Sequence, residues 1–173
     1  YVRDIAAKQA IADKYEFDLT TNVDEIIDND DIQVVVEVMG GVTDSKDYIT
    51  LSLKNGKHVV TANKDLIAQN GLELVKLAKA NNCLLYYEAA VAGGIPILRT
   101  ISNSMAADDI TSIYGIVNGT TNYMLSQMVH QNWTYEEALA EAQRLGFAES
   151  DPTNDVGGID AAYKMVILTQ FSF

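Results

Sequence analysis

The sequence predicts an α/β fold, with a partial Rossmann-like parallel sheet followed by part of an α+β domain. Over the first 87 residues, short apolar runs rich in β-branched residues alternate with helical patterns, as in parallel strands joined by crossover helices. Near residue 87 this alternation stops, and a glycine pair and a longer alternating segment follow. We therefore expect a domain boundary near residue 87, between residues 1–87 and 88–173.

The first half is predicted to begin with the last residues of a strand at 1–4 and to contain three further strands separated by helices. The run QVVVEVM at 33–39 is almost continuously apolar, which is typical of a strand buried on both faces of a parallel sheet. Asn22 and Glu25 are spaced as in a helix-capping box. The other predicted elements are a helix at 5–15, a helix from Thr43 to Asn55 and Gly56, a strand at 58–63, a helix at 71–82 and a strand at 83–90.

The second half is predicted to be helical after one long strand. Alternating residues at 110–119 predict the strand, and Thr120 is a candidate cap for a helix at 120–130. Thr134 and Glu137 have capping-box spacing. The remaining predictions are a helix at 135–146, a polar loop at 147–159 and a last helix at 160–171.

Composition excludes several classes of protein. The 12 basic and 24 acidic residues give a formal charge of −12, which repels nucleic-acid phosphates and anionic lipids, so we expect neither nucleic acid nor a membrane as partner. Cys83 is the single cysteine, and no apolar run approaches the roughly 20 residues that span a bilayer. We expect a soluble cytoplasmic protein. The chain begins without methionine and ends inside an apolar helical pattern, so we also expect it to be truncated at both ends.

The strongest chemical signal is a group of carboxylates within residues 146–164. Its members are Glu149, Asp151, Asp155 and Asp160. Carboxylates this close repel one another and need a positive partner, which is a metal ion, a substrate ammonium group or a lysine. Lys164 lies four residues after Asp160, on the same face of a helix, where it is a candidate for proton exchange. An ordinary surface ion pair is the alternative.

Two segments of the first half are candidates for ligand contacts. Lys64 follows the strand at 58–63, at the carboxyl end where open α/β sheets bind ligands. Met39 and Gly40 end the run at 33–39, where a glycine lets a flat ring approach the backbone. A solvent-exposed helix start and a tight turn explain the same residues equally well.

Two segments of the second half are also candidates. Gly119 and Thr120 begin a helix whose free N–H groups suit a carboxylate or carbonyl oxygen, although capping by Thr120 explains them as simply. Glu88 precedes VAGGIP at 91–96, which suits a hard cation or is only a turn at the domain boundary. Cys83 begins an apolar strand and is predicted to be a core residue, and neither histidine has companions for a zinc site.

Four motifs, in this order and spacing, closely resemble homoserine dehydrogenases. They are TANKDLIA at 61–68, YEAAVAGGIPI at 87–97, GIVNGTTNY at 115–123 and GFAESDPTNDVGGIDAAYK at 146–164. The resemblance covers nearly the whole chain, and the last motif is the most specific. It implies reversible oxidation of homoserine to aspartate 4-semialdehyde with NAD(P), a step toward threonine and methionine. It also implies a partial NAD(P)-binding domain at 1–87, a partial catalytic and dimerisation domain at 88–173, and a homodimer in the complete protein.

The resemblance implies roles for single residues. Lys164 is then the proton donor or acceptor at the substrate oxygen, with Asp160 beside it and Lys64 in contact with cofactor and substrate. The other implied contacts are Glu149 and Asp155 with the substrate ammonium group, Gly119 and Thr120 with the substrate, Met39 and Gly40 with the cofactor, and Glu88 and the carbonyls of Val91, Gly93 and Ile95 with Na+ or K+.

Two points of the resemblance stay open. Arg3, at the end of a presumed second strand, is an expected contact of the adenosine ribose or its phosphate, but the choice between NAD and NADP is not determined. The family's Gly-rich phosphate loop and its C-terminal segment are absent from these residues, so we expect this chain alone to be inactive.

Other functions also remain open on the sequence alone. A dehydrogenase or reductase of another type, acting on an aldehyde, would need a cysteine nucleophile with a nearby histidine, which the sequence lacks. A cation-binding or small-molecule-binding module would use the acidic loop without redox chemistry. Such a module would bind calcium and would not respond to homoserine or to a nicotinamide cofactor. An inactive fragment of the enzyme is the third interpretation.

Overall fold

Three parallel strands form the centre of the first of two units, Tyr1–Tyr87. The structure is a computed structural model that describes residues 1–173. The strands β1 (Val34–Glu37), β2 (His58–Thr61) and β3 (Leu85–Tyr86) pair in the order β1-β2-β3. The predicted parallel sheet is confirmed. Its strands are shorter than the apolar runs, because residues at the ends of the runs lie outside the strand pairing and belong to the adjoining turns.

Two crossover helices pack against this sheet. α3 (Thr43–Lys54) joins β1 to β2, and α4 (Lys64–Ala80) joins β2 to β3. Crossovers between parallel strands share one hand, so in a sheet with consecutive strand order both helices lie on the same face. The core lies between them and the sheet. Its fully buried side chains include Ile49, Leu53, Val59, Leu66, Ile67 and Leu74.

The opposite face of the sheet is exposed within this chain. Val36 is 63% exposed and Tyr86 is 56% exposed, whereas Val59 on the helix side is fully buried. The prediction that residues 33–39 are buried on both faces is therefore wrong for this chain. Successive side chains of a strand point to opposite faces, and the two crossover helices cover only one of them.

Two predictions for the first 30 residues also differ from the structure. α1 (Gln9–Tyr15) begins four residues after the predicted start at residue 5. The predicted capping box of Asn22 and Glu25 does not form, because the Asn22 side chain accepts a hydrogen bond from the Asp24 N–H at 3.1 Å. This local turn occupies the oxygen that would have capped the helix, and α2 (Asp24–Ile27) begins without a side-chain cap.

α4 begins earlier than predicted, and the start of the chain is not a strand. Asn63 caps α4 by accepting the Leu66 N–H at 3.1 Å, so the helix begins at Lys64 rather than at residue 71. Residues 1–4 form no strand, because the single hydrogen bond from the Val2 N–H to the Thr20 carbonyl, 2.8 Å long, is not a ladder.

The second unit, Glu88–Phe173, is built from helices. Its elements are a 3₁₀ turn at Glu88–Ala90, α5 (Ile97–Arg99) with a π-helical turn at Thr100–Ser104, α6 (Gly119–Gln131), α7 (Tyr135–Arg144), α8 (Thr153–Val156) and α9 (Ile159–Ser172). The predicted helices at 120–130, 135–146 and 160–171 are confirmed. A small apolar core consists of Met124, Ala138, Ala142 and Ala148. No helix of the chain is both long enough and apolar enough for a membrane crossing.

The predicted strand at 110–119 does not form. These residues belong to no sheet, and Tyr114 is 91% exposed and Ile116 76% exposed. A strand needs a neighbour for its backbone hydrogen bonds, and no other strand pairs with this segment in the chain. The predicted loop at 147–159 is also more ordered than expected, because it contains α8.

The predicted capping box of α7 is confirmed and gives a test of local stability. Thr134 Oγ1 accepts the Glu137 N–H at 3.2 Å, and Glu137 Oε2 accepts the Thr134 N–H at 2.8 Å. Thr134→Ala should lower the free energy of unfolding by about 1 kcal/mol, because the Glu137 N–H loses its acceptor. Urea denaturation followed by circular dichroism measures this loss, with Thr134→Ser as the control that keeps the hydroxyl. Equal stability of the two variants would contradict the role of the cap.

Candidate active site

A turn with two open glycines follows β1. Gly40 and Gly41 both have φ of +75°, and a Cβ atom at either position would meet no atom within 4 Å. This conformation favours glycine, and the open space allows a ligand to lie against the main chain. Met39 precedes the turn, and its N–H donates to Glu37 Oε1 at 2.8 Å. The structure thus gives Met39 and Gly40 a position at a strand end, where open α/β sheets bind ligands.

Lys64 is the first residue of α4, next to the end of β2. The preceding residue, Asn63, donates from Nδ2 to the Gly41 carbonyl at 2.6 Å, which joins the glycine turn to the start of α4. The Lys64 side chain is 28% exposed, and its ammonium group lies 3.9 Å from the Asp65 carboxylate. Lys64 is therefore a partly accessible cation at the carboxyl edge of the sheet.

Cys83 and Arg3, the other two candidates of the first unit, differ in burial. Cys83 is buried, and its Sγ lies 3.6 Å from the Leu53 carbonyl, so the prediction of a core residue is confirmed. Arg3 is exposed and does not end a strand, contrary to the strand predicted there. Its contact with the adenosine ribose stays a prediction.

The main ion pair of the second unit joins Lys164 to Asp160. Both residues lie on α9, and Lys164 Nζ lies 2.7 Å from Asp160 Oδ2, with side chains 19% and 8% exposed. The predicted helical pair forms, and it is largely buried rather than an ordinary surface pair. Nζ also donates to the Val117 carbonyl at 2.7 Å. An ammonium group has three N–H donors, so one remains for a further acceptor.

Asn118 is the site residue that sequence reasoning missed. Its buried Nδ2 donates to Asp155 Oδ1 and to Asp160 Oδ2, each at 2.8 Å, and its Oδ1 accepts the Thr121 N–H at 2.8 Å. The sequence alone could have indicated that Asn118 caps a helix, because asparagine is favoured at that position. It could not have indicated the contacts with the two carboxylates, 37 and 42 residues away, because these form only when the helices pack.

Thr120 does not cap α6, which corrects that interpretation. Its hydroxyl donates to the Phe147 carbonyl at 2.5 Å and lies 3.2 Å from Asp155 Oδ2. A hydroxyl has one proton, so these acceptors share it. Thr120 thus links the start of α6 to the loop after α7 by a hydrogen bond. The N–H groups of Gly119 and Thr120 have no partner within the helix, as at any helix start, and they suit an anionic group.

The four carboxylates that the sequence groups together lie in different environments. Asp155 and Asp160 accept hydrogen bonds from the same amide group. Asp151 instead accepts the Thr153 hydroxyl at 2.6 Å and the Thr153 N–H at 3.1 Å, and these bonds hold the pKa of Asp151 below its usual value. Glu149 is exposed. No group of three or more metal-binding side chains forms in the chain.

Glu88 caps a short helix and is not a free surface side chain. Its Oε1 accepts the Leu98 N–H at 2.9 Å and its Oε2 accepts the Arg99 N–H at 3.0 Å. The Ile95 carbonyl accepts the Ile97 N–H at 2.8 Å. The predicted backbone ligands of a cation are Val91, which is buried, Gly93, which has φ of +56°, and Ile95, which is exposed. Their role at a cation stays a prediction.

These features define a class of protein. A parallel sheet with an open glycine turn and a lysine at its strand ends is typical of dinucleotide-binding domains. A largely buried lysine beside an aspartate and a helix start is typical of a site that exchanges protons. Together, these features are typical of the class of dinucleotide-dependent oxidoreductases.

Comparisons with known proteins identify the family. Residues 1–88 match the family model of the homoserine dehydrogenase NAD binding domain, and residues 96–173 match that of homoserine dehydrogenase. The homoserine dehydrogenase of Lactococcus lactis is 54% identical over 97% of this chain and 39% of that protein. The chain belongs to the homoserine dehydrogenase family. It spans about two fifths of the length of the curated homoserine dehydrogenases of Lactococcus lactis and Bacillus subtilis.

Solved structures agree with this assignment. The crystal structure of a homoserine dehydrogenase from Thiobacillus denitrificans matches with a TM-score of 0.93 at 43% identity, over 99% of this chain and 39% of that chain. A hyperthermophilic archaeal homoserine dehydrogenase in complex with NADPH matches with a TM-score of 0.84 at 29% identity, over 98% of this chain and 55% of that chain.

The contacts of Asn118 predict a large effect of charge at this position. Asn118→Asp should lower the free energy of unfolding by about 2–4 kcal/mol near neutral pH, because a third carboxylate replaces the donor between Asp155 and Asp160. The loss should shrink as the pH falls, because the crowded carboxylates of the folded variant bind a proton more readily than those of the unfolded chain. Urea denaturation at about pH 5 and about pH 8 measures both values.

Asn118→Ala is the matched control for this experiment. It removes the same donors and the cap of α6 but adds no charge, so its loss of stability should be smaller and should change less with pH. Equal losses for the two variants at both pH values would show that charge repulsion between the carboxylates does not contribute.

Proposed function

We propose that the protein containing this chain catalyses the reversible NAD(P)-dependent oxidation of L-homoserine to L-aspartate 4-semialdehyde. Membership of the homoserine dehydrogenase family supports the reaction. The observation that carries its chemistry is the largely buried Lys164–Asp160 pair. In the oxidation, homoserine loses a hydride from its hydroxyl-bearing carbon and a proton from its hydroxyl oxygen. NAD(P) supplies the hydride acceptor when it is bound, and the protein must take the proton.

Lys164 is the residue that we infer exchanges this proton. Its Nζ uses two donors on Asp160 and the Val117 carbonyl, and the third is available for the substrate oxygen. In the reduction, the ammonium group donates this proton to the aldehyde oxygen, and in the oxidation the amine takes the proton of the hydroxyl group. Asp160 stabilises the charged form, and Asn118 orients the Asp160 carboxylate.

The two ends of homoserine have complementary groups in the same unit. Asp155 accepts hydrogen bonds from a neutral amide and a neutral hydroxyl, so its negative charge suits the substrate ammonium group. The exposed Glu149 in the same loop is the second acceptor that we propose for the ammonium group. The N–H groups of Gly119 and Thr120 suit the substrate carboxylate.

The strand ends of the first unit fit a nicotinamide cofactor. The turn of Gly40 and Gly41 leaves open space beside the main chain, and Lys64 supplies a partly exposed positive charge. We propose that Met39, Gly40 and Lys64 hold NAD(P), with Arg3 near the adenosine ribose. The archaeal relative in complex with NADPH supports this proposal.

The remaining proposals rest mainly on the family resemblance. Each oxygen of Glu88 accepts one N–H and keeps acceptor capacity, so Glu88 is compatible with Na+ or K+ held also by the carbonyls of Val91, Gly93 and Ile95. The resemblance further supports a cytoplasmic homodimer, with residues 1–87 in the NAD(P)-binding domain and 88–173 in the catalytic and dimerisation domain. We also propose that the product of the reaction leads toward threonine and methionine.

Replacing Lys164 tests the proton-transfer role. In the protein expressed from its complete reading frame, Lys164→Ala should lower kcat about 10²–10⁴-fold while cofactor binding stays nearly unchanged. Homoserine-dependent reduction of NAD and NADP, followed by absorbance, measures the rate. Lys164→Arg is the matched control, because arginine keeps the charge but does not release a proton near neutral pH, so it should be inactive as well. Near-normal turnover of the arginine variant would remove Lys164 from proton transfer.

Replacing Glu149 tests the substrate contact. Glu149→Ala should raise KM for homoserine about tenfold with little change in kcat, because it deletes a charge-assisted contact with the ammonium group. Initial rates at varied homoserine concentration measure both constants. Glu136→Ala, which removes an exposed carboxylate from the first turn of α7, controls for the change in net charge. An unchanged KM in Glu149→Ala, or an equal rise in Glu136→Ala, would contradict the contact.

A further inference from the structure

We propose that Glu37, Ser45, Thr61 and Asn63 form a positioning network that holds the glycine turn and the start of α4 in the arrangement that binds NAD(P). We call these four residues the strand-end network. Glu37, Ser45 and Asn63 contact the backbone of the turn, and Thr61 joins Glu37 to Asn63, so we assign all four as positioning residues rather than catalytic ones. The proposal rests on the proposed function, because it assumes that the strand ends bind NAD(P).

Glu37 is a buried carboxylate whose hydrogen bonds come from neutral groups. It is 4% exposed, and its Oε1 accepts the Met39 N–H at 2.8 Å and the Ser45 hydroxyl at 3.1 Å. Its Oε2 accepts the Thr61 hydroxyl at 2.7 Å. Burial of a carboxylate without a cation costs free energy, so an apolar residue at the end of this strand would destabilise the fold less. The carboxylate is therefore better explained by its contacts with the turn than by the stability of the strand.

Thr61 extends the connection from β1 through β2 to α4. It is fully buried and lies opposite Glu37 in the parallel register. Its hydroxyl donates to Glu37 and accepts the Asn63 N–H at 2.9 Å. Because a hydroxyl has one proton, the carboxylate of Glu37 determines the direction of these hydrogen bonds.

Asn63 and Ser45 complete the network at the turn. Asn63 Nδ2 donates to the Gly41 carbonyl at 2.6 Å, and the Ser45 hydroxyl lies 3.1 Å from the Gly40 carbonyl. Together with the contact between Glu37 and Met39, side chains from three elements hold three successive residues of the turn. Those elements are β1, α3 and the start of α4.

This arrangement has a direct consequence for ligand binding. Glycines lose more conformational freedom on ordering than other residues, so a turn with two of them is expected to be mobile unless it is restrained. A ligand that had to order the turn would bind more weakly. Since Asn63 is followed at once by Lys64, the same hydrogen bonds fix the turn and the lysine relative to each other.

Thr61→Val tests the network, because it removes the hydroxyl and nearly keeps the shape of the side chain. In the protein expressed from its complete reading frame, we expect it to raise the Kd of NADPH, measured by cofactor fluorescence, about tenfold. The KM for homoserine should rise less than this Kd, because Lys164, Asp155, Glu149 and the start of α6 lie on other elements. Thr61→Ser, which restores the hydroxyl, should return the Kd to within about twofold of wild type.

Ser52→Ala is the matched control for the loss of a buried hydroxyl. Ser52 is fully buried in the same unit, and its hydroxyl donates to the Tyr48 carbonyl at 2.7 Å within α3. It should lower the melting temperature without changing the Kd of NADPH. An equal rise of the Kd in Ser52→Ala and Thr61→Val would reduce the effect to general instability and overturn the proposal.

Asn63→Asp keeps the test valid if Thr61→Val does not fold. Aspartate still caps α4 but cannot donate to the Gly41 carbonyl, so it should raise the Kd of NADPH while leaving α4 intact. An unchanged Kd in a folded Thr61→Val or Asn63→Asp variant, beside a wild-type protein that binds NADPH, overturns the network alone. A wild-type protein that binds neither NADPH nor NADH overturns the proposed function and this proposal with it.

Discussion

The largely buried ion pair of Lys164 and Asp160 is the interaction on which the proposed chemistry of the second unit depends. Two charges leave water without a large penalty only when their other hydrogen-bonding capacity is satisfied. The Val117 carbonyl and the Asn118 amide provide these bonds. Because both residues lead directly into α6, the same contacts position the lysine of α9 and the free N–H groups at the start of α6. The group that we propose exchanges a proton and the group that we propose binds an anion are thus coupled within one unit.

The two units use asparagine in the same way. Asn63 and Asn118 each cap a helix through Oδ1, and each uses Nδ2 to hold a second segment. Aspartate caps a helix equally well but has no donor, so only asparagine both starts the helix and fixes a distant group. In the first unit the distant group is the glycine turn, and in the second it is a pair of carboxylates. Both helices begin at residues that we propose bind cofactor or substrate.

Two incorrect predictions have one physical cause. The apolar pattern at 33–39 predicted a strand buried on both faces, yet one face of the sheet is exposed. The alternation at 110–119 predicted a strand, yet this segment pairs with no other strand in the chain. A hydrophobic pattern indicates which side chains favour burial. The segments that bury them, or that satisfy their backbone groups, are supplied by the topology.

The sequence by itself determined the features that depend on near neighbours. These include the parallel α/β alternation, the capping box of Thr134 and Glu137, and the pairing of Asp160 with Lys164 one helical turn apart. Only the tertiary structure decided which distant groups meet. It joined Asp155 and Asp160 through the Asn118 amide, 37 and 42 residues away, and gave Asp151 and Glu149 other environments. It also directed Glu88 to a helix start. Spacing along a chain sets contacts within a turn or two, whereas contacts between elements follow from how their apolar faces pack.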